Sequence, residues 1–188
     1  MSCCVGLLGI DRSAILGAVI AGGKSTRFGS DKALAQLGGR ALIDQVAEGL
    51  AGQTAEVIVV GRNHDGLQGI ADQPAPDMGP LAGIAAALLE AQARGYAAVM
   101  TAPCDVYDLP EDLRQRLFPY PAYVASQPVI GLWPAFAAQD ALAILESDEK
   151  HSIKGFAARI SARAVQLPRE PANINTAADL ERVQPHGL

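Results

Sequence analysis

A segment between residues 21 and 32 combines glycine with positive charge in a way that suits phosphate binding. It holds three glycines and three basic residues, namely Gly22, Gly23, Gly29, Lys24, Arg27 and Lys32. Glycine allows backbone N–H groups to approach an anion closely, and lysine and arginine add charge where phosphates would lie. The segment therefore predicts an anion site, with a solvated surface turn as the alternative.

Two common phosphate-binding motifs do not fit this segment. A P-loop requires a glycine separated by four residues from the Gly23-Lys24-Ser25 triplet, but that position holds Ala18. The dinucleotide fingerprint requires one residue between its first two glycines, whereas Gly22 and Gly23 are adjacent. The sequence therefore argues against a P-loop NTPase and against an NAD-dependent oxidoreductase.

Alternating strands and helices are predicted to position the glycine-rich segment. Apolar and β-branched runs predict strands at 14–21, 56–60, 97–101, within 122–132 and at 164–167. Amphipathic or alanine-rich segments predict helices at 41–51, 80–94, 110–117, 134–145, 152–160 and 176–183. This alternation indicates parallel βαβ units with helices on both faces of a sheet, in which ligands bind beyond the carboxyl ends of the strands.

Length and composition restrict the class of protein. The chain has 188 residues, which suits one domain, and its 49% apolar content excludes intrinsic disorder. We expect a flexible extension at 1–13 and a domain at 14–188. The net charge of −5 disfavours general nucleic-acid binding. Since no apolar run is long enough for a membrane span and the cysteines lack zinc or disulfide spacing, we expect a cytoplasmic location.

Four motifs occur in an order that resembles one family of nucleotidyltransferases. They lie at 20–34, where Asp31-Lys32 is a distinctive pair, and at 79–83, 103–105 and 173–180. Together they are similar to the molybdenum cofactor guanylyltransferases and their cytidylyl-transferring relatives. The resemblance implies a single-domain α/β protein with a Rossmann-like nucleotidyltransferase fold, in which helices cover both faces of a mostly parallel central sheet.

The activity of that family gives the matched positions expected roles. The resemblance implies transfer of GMP from GTP to molybdopterin, with Mg²⁺ as the cofactor. The expected nucleotide-binding residues are Ile20, Ala21, Gly22, Gly23, Lys32, Gly61, Asp72 and Asp105. Arg27 and Lys32 would act in catalysis by neutralising the triphosphate, and Asp105 would bind the metal, because Mg²⁺ needs few carboxylates besides phosphate oxygens and waters. A turn or helix cap is the alternative for Asp105, and a solvated loop carboxylate is the alternative for Asp72.

The remaining matched positions would face the pterin substrate. They are Gly79, Gly83, Lys150, Asn173 and Asn175. Lys150, together with Lys154, would bind the terminal phosphate of molybdopterin, but a solvated helix face explains both lysines equally well. Turn and helix-cap roles are the alternative for the asparagines. Transient docking to cofactor-biosynthesis proteins or molybdoenzymes would also fit this family.

Two departures from the family's pattern keep other activities open. Gly61 stands where the family has a base-contacting asparagine, and Asn63 could take that role. Val106-Tyr107 follows Asp105, where the family often has a proline in the second position. The alternatives within the fold are a molybdopterin cytidylyltransferase and a sugar-phosphate nucleotidyltransferase. A nonenzymatic adaptor that binds a nucleotide or a cofactor is the alternative from another class.

Overall fold

The computed structural model describes residues 10–22, 35–148, 150–174 and 179. The strands are β1 (Ile15–Ile20), β2 (Gln36–Leu37), β3 (Arg40–Ala41), β4 (Glu56–Val60), β5 (Gln68–Ile70), β6 (Ala98–Pro103), β7 (Val106–Tyr107), β8 (Ala122–Val124), β9 (Gly131–Pro134), β10 (Arg163–Val165) and β11 (Ala172–Asn173). The helices are α1 (Leu42–Ala51), α2 (Pro80–Ala93), α3 (Leu113–Arg116), α4 (Ala138–Leu145) and α5 (Ile153–Arg159). None of the helices in these ranges is long and apolar enough to cross a membrane.

Seven of the described strands form a central sheet in the order β10-β8-β9-β6-β1-β4-β5. Neighbouring strands are parallel except on the two sides of β9, which runs antiparallel to both β6 and β8. All six residues of β1 are buried, as a parallel strand covered on both faces requires. The predicted α/β class and mostly parallel sheet are confirmed.

Helices cover both faces of the sheet, as predicted. Leu16 of β1 belongs to the same buried apolar cluster as Ile84 of α2 and Phe156 of α5. Val19 points to the opposite face, where it belongs to a cluster with Val46 of α1. Because side chains alternate along a strand, β1 supplies both halves of the core.

Two predicted helices are shorter than their sequence patterns indicated. The segment predicted as helical at 110–117 contains α3 only from Leu113, since the Asp112 backbone (φ −103°, ψ 19°) is outside the helical region. The Gln53 side chain binds the start of α3. Gln53 Nε2 donates to the Pro110 carbonyl at 2.9 Å, and the Arg114 N–H donates to Gln53 Oε1 at 2.9 Å. In the segment at 134–145, Pro134 belongs to β9 and a 3-10 turn at Ala135–Ala137 precedes α4. The helix predicted at 176–183 lies outside the described residues except for Asp179, which is helical.

Residues 10–13 of the predicted flexible extension are part of the structure. Ile10 packs against the core on the α1 side, and its carbonyl accepts a hydrogen bond from the Arg114 side chain. Asp11 caps the 3-10 turn at Arg12–Ala14, since its Oδ1 accepts from the Ser13 N–H at 2.8 Å. Residues 10–13 therefore contact the domain, and residues 1–9 lie outside the described part of the chain.

Candidate functional site

Four adjacent strands end beside one another at the carboxyl edge of the sheet. In sheet order, Asp72 follows β5, Gly61 follows β4, Gly22 follows β1 and Asp105 follows β6. Three backbone hydrogen bonds join neighbouring strand ends, from Gly61 N to Ile70 O at 2.8 Å, from Ala21 N to Val60 O at 2.9 Å and from Cys104 N to Ile20 O at 3.1 Å. The fold thus brings four of the predicted nucleotide-binding positions to one edge.

The carboxylate of Asp72 rests on a glycine seat, which is formed by Gly22, Gly61 and Gly83. A Cβ atom added to Gly22 would lie 2.6 Å from Asp72 Oδ2. One added to Gly83 would lie 3.2 Å from Asp72 Oδ1, and one added to Gly61 would lie 3.3 Å from Oδ2. Real Cβ atoms rarely approach this closely, so the seat depends on the absence of side chains at these positions.

Gly61 has no room for a larger residue such as asparagine. Its φ angle is +90°, and an added Cβ would lie 2.4 Å from the Gly22 Cα. The Asn63 side chain lies elsewhere, because its Oδ1 is 2.8 Å from the position of a Cβ on Gly69, in the middle of the edge strand β5. Neither residue therefore presents an amide side chain to the glycine seat, and Asp72 is the polar group that lies on it.

Burial and a neighbouring carboxylate perturb the charge of Asp72. Burial raises the pKa of the Asp72 carboxyl above its ordinary value, and the negative charge of Asp77 raises it further. Both effects disfavour the ionised form. A ligand that donated hydrogen bonds to Asp72 would stabilise the ionised form and so bind more tightly to it.

Asp105 lies between β6 and β7, with its Oδ1 atom buried. Its main-chain carbonyl accepts a hydrogen bond from the Ile174 N–H at 3.0 Å, and Val106 pairs with Asn173 in the β7–β11 ladder. The backbone of the predicted C-terminal motif therefore lies beside Asp105.

Asp105 is a carboxylate that could hold Mg²⁺ at this edge of the sheet. Within the described ranges, no group of three or more His, Cys, Asp or Glu residues could hold a metal ion. Mg²⁺ is commonly bound by one or two carboxylates, with phosphate oxygens and waters completing its shell. A carboxylate at the strand edge, next to a candidate phosphate site, meets that requirement.

The two glycines of the motif at 79–83 have different surroundings. Gly79, with φ +85°, precedes α2 and has open space where a Cβ would lie. Gly83 is packed, because an added Cβ would lie 2.9 Å from Ile20 Cγ2 as well as close to Asp72. Gly79 could therefore meet a ligand at the helix start, whereas Gly83 supports the glycine seat.

Lys150 and Lys154 come just before β10, which lies across β6 from β5 in the sheet order. They flank the start of α5, which precedes β10, and β10 runs parallel to β8. The start of α5 therefore lies toward the same carboxyl edge. Both lysines are exposed, and Ser152 Oγ accepts from the Gly155 N–H at 3.0 Å and fixes the helix start between them.

Several predicted site residues fall outside the described part of the chain. They are Gly23, Arg27, Lys32 and Asn175, together with the side chain of Asn173. Their proposed roles remain predictions.

Sequence reasoning did not single out a buried polar pair near the site. Trp133 Nε1 donates to Thr101 Oγ1 at 2.9 Å, and Thr101 Oγ1 donates to the Val129 carbonyl at 2.6 Å. Thr101 and Trp133 are both fully buried. A threonine within the otherwise apolar strand β6 is the signal that could have identified the pair, because a buried hydroxyl needs a partner.

Comparison with known sequences gives matches that cover most of the chain. A family model described as a MobA-like NTP transferase domain matches residues 17–166. A molybdenum cofactor guanylyltransferase of Cereibacter sphaeroides is 37% identical over 188 aligned residues, which cover 90% of this chain and 95% of that protein. One from Acidiphilium cryptum is 34% identical over 180 residues, which cover 88% and 92%.

Comparison with solved structures gives the same type of fold. The crystal structure of molybdopterin-guanine dinucleotide biosynthesis protein A from Archaeoglobus fulgidus matches with a TM-score of 0.64 and 21% identity. The match covers 89% of this chain and 95% of that one. At this identity the likeness concerns the fold.

Proposed function

The chain belongs to the MobA-like NTP transferase family, and we propose that it transfers GMP from GTP to molybdopterin. The product is molybdopterin guanine dinucleotide, and pyrophosphate is released. Two relatives matched over most of the chain are named molybdenum cofactor guanylyltransferases, which supports this substrate pair. The observation that carries the proposal is the position of Asp72 and Asp105 at one sheet edge, on either side of Gly22.

Asp72 is proposed to recognise the guanine base. Guanine carries adjacent N–H donors at N1 and N2, and an ionised carboxylate can accept both. Cytosine carries a single amino donor, at N4, so it can donate fewer hydrogen bonds to a carboxylate. The close contact of Asp72 with Gly22 supports this role, because the base would lie next to the backbone that approaches the phosphates. Ile20 and Ala21 would add main-chain contacts.

The glycine-rich segment is proposed to bind the triphosphate. Gly23 would allow backbone N–H groups to approach the phosphates, and Lys32 would neutralise their charge. Arg27 would share this role and stabilise the charge on the departing pyrophosphate. These roles follow from the residue types and their position after β1.

Asp105 is proposed to hold Mg²⁺ at the triphosphate. When bound, the ion would neutralise charge on the phosphate oxygens. The position of Asp105 after β6 supports this role, because β6 lies next to β1, which the glycine-rich segment follows.

The proposed reaction is an in-line displacement at the α-phosphorus of GTP. A phosphate oxygen of molybdopterin forms a new bond to that phosphorus as the bond to pyrophosphate breaks. The attacking oxygen is already anionic near neutral pH, so no strong general base is required. The protein would contribute orientation and charge neutralisation, which dominate phosphoryl-transfer catalysis.

Molybdopterin is proposed to bind on the β8–β10 side of Asp105. Lys150 and Lys154 would attract its terminal phosphate. Asn173 and Asn175 would contact the pterin. In this proposal the two substrates would bind on different sides of Asp105.

The product would have to reach a recipient enzyme. We therefore propose transient docking to cofactor-biosynthesis proteins or molybdoenzymes. We also propose a cytoplasmic location, since GTP is drawn from that compartment.

A pyrophosphate-release assay tests the proposed reaction. The protein is incubated with Mg²⁺ and molybdenum-loaded molybdopterin, and GTP and CTP are offered separately. We expect pyrophosphate with GTP, only when molybdopterin is present. Release with CTP alone would contradict guanylyl transfer, and release only after a sugar phosphate is added would contradict the pterin acceptor.

A further inference from the structure

The loop between β8 and β9 lies at the same sheet edge as Asp105. Thr101 of β6 pairs with Gly131, the first residue of the antiparallel strand β9. Because β9 runs antiparallel to both β6 and β8, the connection that precedes Gly131 lies at the carboxyl edge of the sheet, where β6 ends. Residues 126–129, called the 126–129 turn, therefore lie near the end of β6, which Asp105 follows, on the side away from β1.

Backbone hydrogen bonds hold the 126–129 turn in one conformation. The Gln127 N–H donates to the Val124 carbonyl at 3.1 Å, and the Ile130 N–H donates to the Gln127 carbonyl at 2.9 Å. The Val124 N–H donates to the Ile130 carbonyl at 2.8 Å. These bonds close the turn on both sides of Gln127, so this residue has a fixed place in the fold.

Thr101 anchors the 126–129 turn to the core. Its hydroxyl donates to the Val129 carbonyl at 2.6 Å and accepts from Trp133 Nε1 at 2.9 Å. The indole ring is itself fixed, because a Cβ atom on Gly131 would lie 2.3 Å from Trp133 Cζ2 and the ring packs against Phe156 of α5 at a centroid distance of 5.4 Å. The anchor connects the turn to the face of the sheet that α5 covers.

We propose that the 126–129 turn forms a wall of the acceptor site and that the Gln127 side chain contacts the pterin. Gln127 is half-buried, and its amide offers a donor beside an acceptor. The pyrimidine edge of a pterin likewise has a carbonyl oxygen beside an N–H group, so the two edges are complementary. This inference rests on the proposed function and names residues of the same site.

Thr101 acts in this proposal as a positioning residue. It lies in the core and reaches the acceptor only through the main chain of Val129. Loss of its hydroxyl would leave the Val129 carbonyl and the Trp133 N–H without this partner and would loosen the turn. The effect would fall on acceptor binding, because the nucleotide-binding strand ends are joined by other hydrogen bonds.

Steady-state kinetics of Gln127→Ala test the contact. We expect KM for molybdopterin to rise about tenfold, as for loss of a hydrogen-bonded pair, while KM for GTP stays unchanged. Gln92→Ala is the matched control, because Gln92 is an exposed glutamine in the last turn of α2. An unchanged molybdopterin KM in Gln127→Ala, or an equal rise for both substrates, would overturn the proposal.

A pair of Thr101 variants tests the positioning role. Thr101→Val removes the hydroxyl at nearly constant shape and should raise KM for molybdopterin, whereas Thr101→Ser keeps the hydroxyl and should restore it. Thermal unfolding is measured for both variants, so that a loss of folding is recognised. A serine variant as impaired as the valine variant would contradict the proposed anchor.

The single tryptophan provides a test that needs no turnover. In a ¹⁵N–¹H NMR correlation spectrum, the Trp133 indole N–H gives one cross-peak. Molybdopterin should shift that peak, and GTP with Mg²⁺ should shift it less. A peak that is unchanged at saturating molybdopterin would overturn the inference.

The outcomes for this inference and for the proposed function are distinguishable. A protein that forms no dinucleotide with molybdopterin contradicts the proposed function. A protein that forms it with wild-type KM values in Gln127→Ala contradicts only the role of the 126–129 turn.

Discussion

Asp72 Oδ2 lies 2.6 Å from the position that a Cβ atom on Gly22 would occupy. Gly22 follows β1 and Asp72 follows β5, and the two residues meet above the end of β4, which lies between those strands. The proposed base-binding carboxylate thus touches the backbone of the proposed phosphate-binding segment. A change at either residue is therefore expected to alter binding of the nucleotide as a whole.

Gly22→Ala is predicted to impair nucleotide binding. The added methyl group would displace the Asp72 carboxylate or separate the strand ends, and overpacking of this kind costs about 1–3 kcal/mol. We expect KM for GTP to rise about tenfold or more, since about 1.4 kcal/mol corresponds to a factor of ten. Initial-rate kinetics at saturating molybdopterin measure the change.

Gly52→Ala is the matched control for that substitution. Gly52 has a negative φ angle at the end of α1 and open space where a Cβ would lie, so alanine should fit. Its GTP KM should equal that of the wild type. A wild-type KM in Gly22→Ala would show that the glycine seat does not matter for nucleotide binding.

The GTP affinity is predicted to depend on the ionisation of Asp72. Burial and the charge of Asp77 raise the pKa of Asp72, so the carboxyl protonates at a higher pH than an exposed one. As pH falls through that raised pKa, Asp72 loses its ability to accept two N–H groups, and KM for GTP should rise. In Asp72→Asn, KM should be about tenfold higher at pH 7 and should lose this pH dependence. A pH profile of kcat/KM that is identical in the two proteins would contradict the role of Asp72.

Asp72→Asn is also predicted to stabilise the ligand-free protein near neutral pH. A carboxyl whose pKa is raised on folding contributes stability that is present below its unfolded pKa and is lost as pH rises through its folded pKa. Where Asp72 is ionised, its burial therefore opposes folding, and Asp72→Asn should raise Tm, on the order of 2 °C. Calorimetry without ligand measures the difference, which should shrink at acidic pH. A lower Tm at pH 7 would mean that the contacts of the carboxylate outweigh its burial.

Asp105→Asn is predicted to abolish most activity without unfolding the protein. The amide keeps the size of the side chain but removes the negative charge that would hold Mg²⁺, and we expect kcat to fall about 10²-fold or more. When activity is titrated with Mg²⁺, the concentration that gives half-maximal activity should be much higher for Asp105→Asn than for the wild type. Asp65→Asn, at an exposed loop aspartate, is the control and should titrate like the wild type. Full activity of Asp105→Asn at ordinary Mg²⁺ would refute the metal role.

The network around Glu56 is predicted to stabilise the fold without affecting catalysis. Glu56, in the first position of β4, accepts hydrogen bonds from Tyr96 and from Arg94, and these bonds lower the pKa of Glu56. The resulting stability is present above the unfolded pKa of about 4.5 and is lost as pH falls through the lower folded pKa. Glu56→Gln should therefore be less stable than the wild type at pH 7, by about 1 kcal/mol or less, as for partly exposed ion pairs.

Denaturant unfolding at several pH values measures this difference. The gap between Glu56→Gln and the wild type should narrow in acid, and KM for both substrates should be the same in the two proteins. A gap that does not change with pH would show that the charge of Glu56 is not its source.

The main strands and helices could be predicted because their signals are local. The β-branched run Glu56–Val60 and the alanine-rich helix Pro80–Ala93 carry enough apolar residues in a recognisable period. The strand β5 has only Gln68–Ile70 and exists because it pairs with β4. The β7–β11 ladder joins residues far apart in the chain, so neither of its strands has a local signal.

The residues of the candidate site could be proposed from the sequence, but the contacts between them could not. Motif resemblance singled out Gly22, Gly61, Gly83 and Asp72, yet no spacing rule indicates that three of them form a seat for the fourth. That relationship depends on the ends of three strands and the first turn of a helix meeting in space. The Thr101 anchor was missed for the same reason, since its partners lie on β9 and in the 126–129 turn.

The fate of the individual phosphates of GTP tests nucleotidyl transfer most directly. The protein is incubated with Mg²⁺, molybdenum-loaded molybdopterin and GTP labelled with ³²P at either the α or the γ position, and the products are separated. Nucleotidyl transfer predicts that the α label appears in the pterin dinucleotide and the γ label in pyrophosphate. A γ label on the pterin or in inorganic phosphate, with no α label on the pterin, would contradict it.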